Sequence, residues 1–135
     1  MARTVGSTGR VIAVDIQSKM IERLKRRAAN ANLGEWIDAR ITRAGSMQLD
    51  GLDSCIDFVF AFAVMHEMPD TAVFFGESAA TIKPGARMLL AEPLSQVNEA
   101  EFDAELETAK RASLEIEARP LIRRTRTALL RKTQA

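Results

Sequence analysis

Cysteine and histidine are nearly absent from this chain: Cys55 and His66 are the only ones in 135 residues. A lone thiol closes no intramolecular disulfide, and one thiol with one imidazole cannot furnish the usual nitrogen and sulfur ligands of a zinc site. Excess charge is lacking too. Nineteen basic against eighteen acidic residues leave a formal net charge of +1, so nothing global favours nucleic acid or a membrane surface as a partner. No apolar run approaches the length of a membrane span or a signal-peptide core, which with the single cysteine predicts a cytoplasmic protein. Glycine and proline number only seven and four, excluding a collagen-like or low-complexity chain. Also missing are a phosphate-cradling glycine-rich loop, a nucleophile elbow and a kinase signature.

What remains is an ordinary globular composition, 47% hydrophobic and 27% charged, of a length suited to one domain over residues 1–135. Val11, Ile12, Ala13 and Val14 form an unbroken apolar run closed by Asp15, the pattern of a strand buried on both faces of a parallel sheet. "SKMIERLKRRAANANLG" then places Ile21, Leu24, Ala28 and Ala31 on one face of a helix, with Ser18 as N-cap and Gly34 as stop. "WIDARIT" alternates like a half-buried strand nearer an edge, with Trp36 packing at its start. "IDFVFAF" reads as a second central strand, reached through the polar loop "RAGSMQLDGLDSC". Asp70 caps a second helix whose stripe is Phe75, Ala79 and Ile82, and "KPG" breaks it at Pro84 and Gly85. "ARMLLAEP" supplies another buried strand. Asn98 and Glu101 have capping-box spacing, and Phe102, Leu106 and Ala109 form the stripe of a third helix with acidic outer faces. "LEIEARP" and "RTALLRK", joined by "LIRRT", predict an antiparallel closing pair. Strands alternating with crossover helices imply an α/β layer architecture.

In open α/β sheets ligands sit beyond the carboxyl ends of the strands. Asp15 stands at such an end, where a carboxylate accepts hydrogen bonds from two ribose hydroxyls or merely terminates the strand. "AGSMQ" offers small residues against which a flat base could lie, or forms a plain turn. His66 and Glu67 suit a general base or substrate-positioning pair; the alternative is loop side chains bonded to backbone. Glu92 either lines a pocket or caps the helix after it. From Ala118 onward there is no acid, and Arg119, Arg123, Arg124, Arg126, Arg131 and Lys132 either contact nucleic acid or balance the acidic helix before them.

These stretches together resemble a class I S-adenosylmethionine-dependent methyltransferase over nearly all of the chain. "GSTGRVIAVDIQSKMIERLKRRA" resembles the family's second strand and following helix. "IDFVFAFAVMHEMPD" is similar to its fourth strand and loop, "IKPGARMLLAEP" to its fifth strand, and the tail to its closing antiparallel strands. The resemblance implies a Rossmann-like, mostly parallel sheet with helices on both faces, S-adenosylmethionine as cofactor, and a small-molecule methyl acceptor without metal. It implies that Asp15 binds the ribose, Ile16 packs on adenine, and the turn Gly45, Ser46 and Met47 borders the base. Gly45 stands where the family commonly has an acid. Ala61, Phe62 and the loop beyond them would complete the cofactor pocket, with His66 and Glu67 near the acceptor. The family's first strand and glycine-rich loop have no counterpart here. The expectation is therefore an N-terminally truncated chain with an incomplete cofactor pocket, in which the runs at Val11 to Val14 and Ile56 to Phe62 evolved to flank a missing strand. Direct pairing of the two, a strand donated by a partner or second copy, or an upstream segment would fill the slot. The alternative function is a catalytically inactive interaction subunit that pairs through its exposed central strand.

Overall fold

A computed structural model describes residues 9–15, 17–42, 46–62 and 70–133, with the backbone alone at residue 15. The chain divides into two compact units, Met1–Gln48 and Leu49–Ala135.

The first unit is built from β1 (Val11–Asp15), α1 (Ser18–Asn30) and β2 (Ile37–Ile41). β1 and β2 run parallel, from Val11 opposite Ile37 to Asp15 opposite Ile41, and α1 is the crossover that a parallel join requires. Ile21 and Ala28 are buried along α1, Leu24 and Ala31 are half-buried, and Lys19, Arg23, Lys25, Arg26 and Arg27 are exposed. That cationic face is solvated. Gln17, not Ser18, occupies the N-cap, and Ser18 is already helical. The chain also leaves α1 before Gly34. Asn32 takes the left-handed turn at φ 60°, a conformation asparagine tolerates, and Gly34–Trp36 forms a short 3-10 turn that places Trp36 outside the strand. β1 and β2 are mostly half-buried rather than buried or cleanly alternating. Each has the other as its one strand partner among the described residues.

The second unit contains β3 (Ile56–Phe62), α2 (Thr71–Thr81), β4 (Ile82–Pro93), α3 (Glu99–Arg111), β5 (Leu114–Ala118) and β6 (Thr125–Lys132). They form one sheet in the order β3-β4-β6-β5, with β3 parallel to β4 and both closing pairs antiparallel. Asp70 caps α2 as its position implied, accepting from the N–H groups of Ala72 at 2.9 Å and Val73 at 3.2 Å. α2 does not end at "KPG". Ile82 is already extended at φ −75° and ψ 134°, and Pro84 and Gly85 lie within β4. The β3 register slips there, Ile56 facing Ile82 but Phe58 facing Arg87, so the irregular ladder accommodates a residue without an N–H and a glycine at φ 81°.

Alternation along β4 sends Met88 and Leu90 to one face, where Leu130 and Ala128 of β6 stand opposite them, and all four are fully buried. Phe75 of α2, Phe102 and Ala109 of α3, and Leu114 of β5 complete this core. Burying side chains of this size is the main stabilising term, roughly 1.5 to 3 kcal/mol for each large one. α3 begins with the expected capping box: Glu101 N–H donates to Asn98 Oδ1 at 2.8 Å, and Asn98 N–H to Glu101 Oε1 at 3.1 Å. Asn98→Ala should therefore lower stability by about 1 kcal/mol, read as an earlier midpoint in urea denaturation at unchanged slope.

"IDFVFAF" differs from expectation more sharply. Among the described residues β3 is an edge strand of this sheet, and Phe58, Phe60 and Phe62, alternating onto one face, are 43%, 49% and 49% exposed. With β4 as its one ladder partner among the described residues, β3 leaves that row of side chains half-exposed.

Candidate functional site

Because β1 and β2 are parallel and in register, their carboxyl ends coincide, and Asp15 ends beside Ile41. The chain that follows β2 is tied down by polar contacts. Ser46 Oγ accepts from Gln48 N–H at 3.1 Å and Gln48 Nε2 at 3.3 Å, while Arg40 donates to Gln48 O at 2.9 Å. Arg40 also donates to Asp38 at 2.9 Å, and this hydrogen bond holds the Asp38 carboxyl below its ordinary range. Met47 is buried beside this turn. Asp15, Ser46 and Met47 thus belong to one end of one parallel pair. Ile16 and Gly45 lie outside the described residues, and the Asp15 side chain does also.

In the second unit Ala61 and Phe62 close β3, opposite Leu90 and Ala91. Being adjacent, they face opposite ways: Ala61 is buried on the helix-covered side, and Phe62 is exposed on the other. His66 and Glu67 lie outside the described residues. At this carboxyl end the structure forms an open cleft of about 530 Å³, lined by Phe62, Pro93, Leu94, Ser95, Arg123, Arg124 and Thr125. The antiparallel register sets Thr125 of β6 opposite Pro93 of β4, and Leu94 N–H donates to Arg124 O at 2.9 Å. Arg123 and Arg124 read from sequence only as part of a basic tail. Their place in a cleft depends on β4–β6 register, for which local spacing carries no signal.

The same end of β4 carries a buried acid pair. Glu92 is fully buried, and Glu105 of α3 is only 8% exposed. Burial, then the charge of Glu92 and a hydrogen bond with it, pushes the Glu105 carboxyl up to about 8. Glu92 does not cap the following helix, since Asn98 does. Glu105 departs from the acidic outer face expected of α3: it sits three residues after Phe102 and one before Leu106, on the buried stripe. Among the described residues, no helix is long and apolar enough to cross a membrane.

Comparison with known proteins adds to this geometry. A family profile described as a methyltransferase domain matches residues 1–126. The chain is 29% identical over 102 residues to 27-O-demethylrifamycin SV methyltransferase of Amycolatopsis mediterranei strain S699, covering 74% of this chain and 36% of that protein. It therefore spans little more than a third of that relative. Among solved structures, a SAM-dependent methyltransferase from Aquifex aeolicus superposes with a TM-score of 0.79 at 20% identity, covering 96% of this chain and 72% of the other. Geranyl diphosphate C-methyltransferase from Streptomyces coelicolor A3(2), in complex with Mg2+, geranyl diphosphate and S-adenosyl-L-homocysteine, superposes with a TM-score of 0.67 at 11% identity, covering 94% and 63%. At such identities these structures establish the Rossmann-like α/β fold.

Proposed function

This chain belongs to the methyltransferase-domain family, and from that premise we propose that it is a cytoplasmic S-adenosylmethionine-dependent methyltransferase domain acting on a small molecule. The observation that carries the reading is Asp15, ending β1 at the carboxyl edge it shares with β2, whose own chain leads within a few residues to the tied Ser46–Met47 turn. An acid and a compact turn at one strand edge suit the adenosine half of S-adenosylmethionine, the ribose hydroxyls donating to a carboxylate. The cofactor supplies an electrophilic methyl group. This chain's part is to hold and desolvate: Asp15 at the ribose, Ile16 and the Gly45, Ser46 and Met47 turn at the base, and Ala61 and Phe62 along the rest. Methyl transfer is an in-line displacement, so positioning provides most of the catalysis, and His66 or Glu67 serves as base only for an acceptor that keeps its proton. The match runs through both compact units, which supports one domain over residues 1–135.

In this reading the cofactor pocket is incomplete, in keeping with ladder edges left open among the described residues. β1 has β2, and β3 has β4, as its single ladder partner among the described residues. Calorimetry with S-adenosylmethionine tests the reading. Weak binding heat is expected from the part of the pocket this chain holds, and Asp15→Ala should weaken affinity by about tenfold or more, the worth of hydrogen bonds to an ionised group. Absence of heat at millimolar ligand rejects a self-sufficient pocket.

The exposed edge of β3 favours a second reading, an inactive interaction subunit that pairs with a second copy through that strand.

A further inference from the structure

The six bases after Ala118 are not equivalent. Arg119 Nε donates to Thr127 O at 2.6 Å, and its guanidinium lies 5.3 Å from the centre of the Phe102 ring. Arg126 Nε donates to Val97 O at 2.9 Å, and Lys132 Nζ to Ile82 O at 2.8 Å. Arg131 stands opposite Glu115 and joins Arg87 in lowering the Glu117 carboxyl, after the dominant hydrogen bond from Arg87. Four cations are thus occupied by the fold. The side chains of Arg123 and Arg124 alone have no hydrogen-bond or carboxylate partner among the described residues, and both line the cleft beside Phe62 and Leu94.

Their presentation is built rather than loose. Thr125 N–H and Oγ1 both donate to Ile122 O, at 3.1 and 2.9 Å, which makes Arg123 and Arg124 the two middle residues of a turn. Arg124 holds φ 61°, a left-handed position costly for a long side chain and natural for glycine. Leu94 N–H fastens that turn to the end of β4. Phe62 and Leu94 in the same lining are each half-exposed, so the cleft combines cationic and apolar side chains. A volume of about 530 Å³ is in the range of small-molecule sites.

We propose that this cleft is the methyl-acceptor subsite and that Arg123 and Arg124 select an acceptor with an anionic oxygen group, carboxylate or phosphate, on an apolar or aromatic body. The assignment rests on the methyltransferase reading for the word acceptor; the anion site itself rests on the cleft. Two guanidiniums carried by neighbouring residues of one turn suit one carboxylate or phosphate, and they are too few for the extended cationic stripe that nucleic acid requires. Phe62 and Leu94 would cover the body while Ser95 offers a hydroxyl.

Calorimetry on the whole chain tests this with benzoate, phenyl phosphate and neutral benzyl alcohol as probes. At least one anion should bind, benzyl alcohol should not, and Arg123→Gln and Arg124→Gly should each weaken the anion by about tenfold or more. Arg124→Gly suits the left-handed turn, so loss of binding there is not loss of fold, and Arg124→Lys should recover part of the affinity. Equal binding of benzyl alcohol, anion binding indifferent to both substitutions, or tighter and steeply salt-dependent binding of a single-stranded oligonucleotide would each overturn it. S-adenosylmethionine titrated into the same samples separates the two readings. Anion selectivity without cofactor heat rejects a self-sufficient cofactor pocket and leaves the anion site standing, whereas cofactor heat without anion selectivity removes the anion site and leaves the methyltransferase reading.

Discussion

Glu105→Gln is expected to stabilise the protein at neutral and alkaline pH and to remove a pH dependence that the parent shows. In the parent, Glu105 titrates at about 8 in the fold, against 4.5 for an ordinary glutamate. Between those values the folded chain keeps a proton that the unfolded chain has lost. Stability therefore falls as pH rises through that window, by at most about 1.4 kcal/mol per pH unit, and levels off above it. The cause is placement: Glu105 from α3 is buried in the core against Glu92 of β4, so burial first, then the charge of Glu92 and a hydrogen bond with it, keep the Glu105 proton on. Glu101 on the same helix adds repulsion, and Arg126, opposite Glu92 on β6, is directed to Val97 O. Glutamine keeps the shape and supplies a permanent donor toward Glu92, so the variant should exceed the parent by about 2 kcal/mol or more near pH 8, and less near pH 5. Urea denaturation at several pH values measures this. Parallel stability curves for the two proteins would show that Glu105 does not hold its proton in the fold as described.

What was legible in sequence and what was not follows from how local each determinant is. Asp70 and the Asn98–Glu101 pair cap their helices through neighbours two and three residues away, so spacing alone located them. The β5–β6 pair was legible for a similar reason, two apolar runs across one short turn. Where two local signals competed, the weaker prior misled. Ser18 is a better capping residue than Gln17, yet the helix begins at Ser18, and "KPG" looks like a helix stop although Ile82 has already left the helix. Glu105 shows a different failure. The positions 102, 105, 106 and 109 follow the i, i+3, i+4, i+7 stripe, but an acid there is naturally assigned to the outer face, and only packing against β4 reveals it inside. In the candidate site, Asp15 could be read from its strand because an acid ending an apolar run is a local pattern. The cleft at Arg123 and Arg124 could not, because antiparallel register between two distant segments creates it. β3 was read as central from its unbroken apolar run; whether such a run is central depends on what pairs with it.

That edge carries the other large expected effect: the chain should self-associate, and Phe60→Lys should abolish the association. Phe60 is 49% exposed, and Phe58 and Phe62 alternate with it on one face of β3. The rings of Phe60 and Phe62 already meet edge to face at 6.2 Å. The only charge guarding this strand is at its start, where Asp57 pairs with Lys83 at 2.7 Å, and the phenylalanine half has no such protection. Two copies of β3 running antiparallel about a two-fold axis normal to the sheet would keep all their phenylalanines on one continuous face, which makes the edge self-complementary. Burying the exposed half of each ring contributes roughly 1 kcal/mol, and the cost of association offsets much of the total, so the dimer should be weak, on the order of micromolar or weaker. Sedimentation velocity should show the mean mass rising with concentration. A lysine in the middle of the row must then be desolvated against its own symmetry mate, weakening association by well over about tenfold, while its half-exposed position leaves the fold intact by circular dichroism. A parent that stays monomeric across the concentration series would remove the interaction-subunit reading. It would leave the open edge of β3 to a strand other than its own copy.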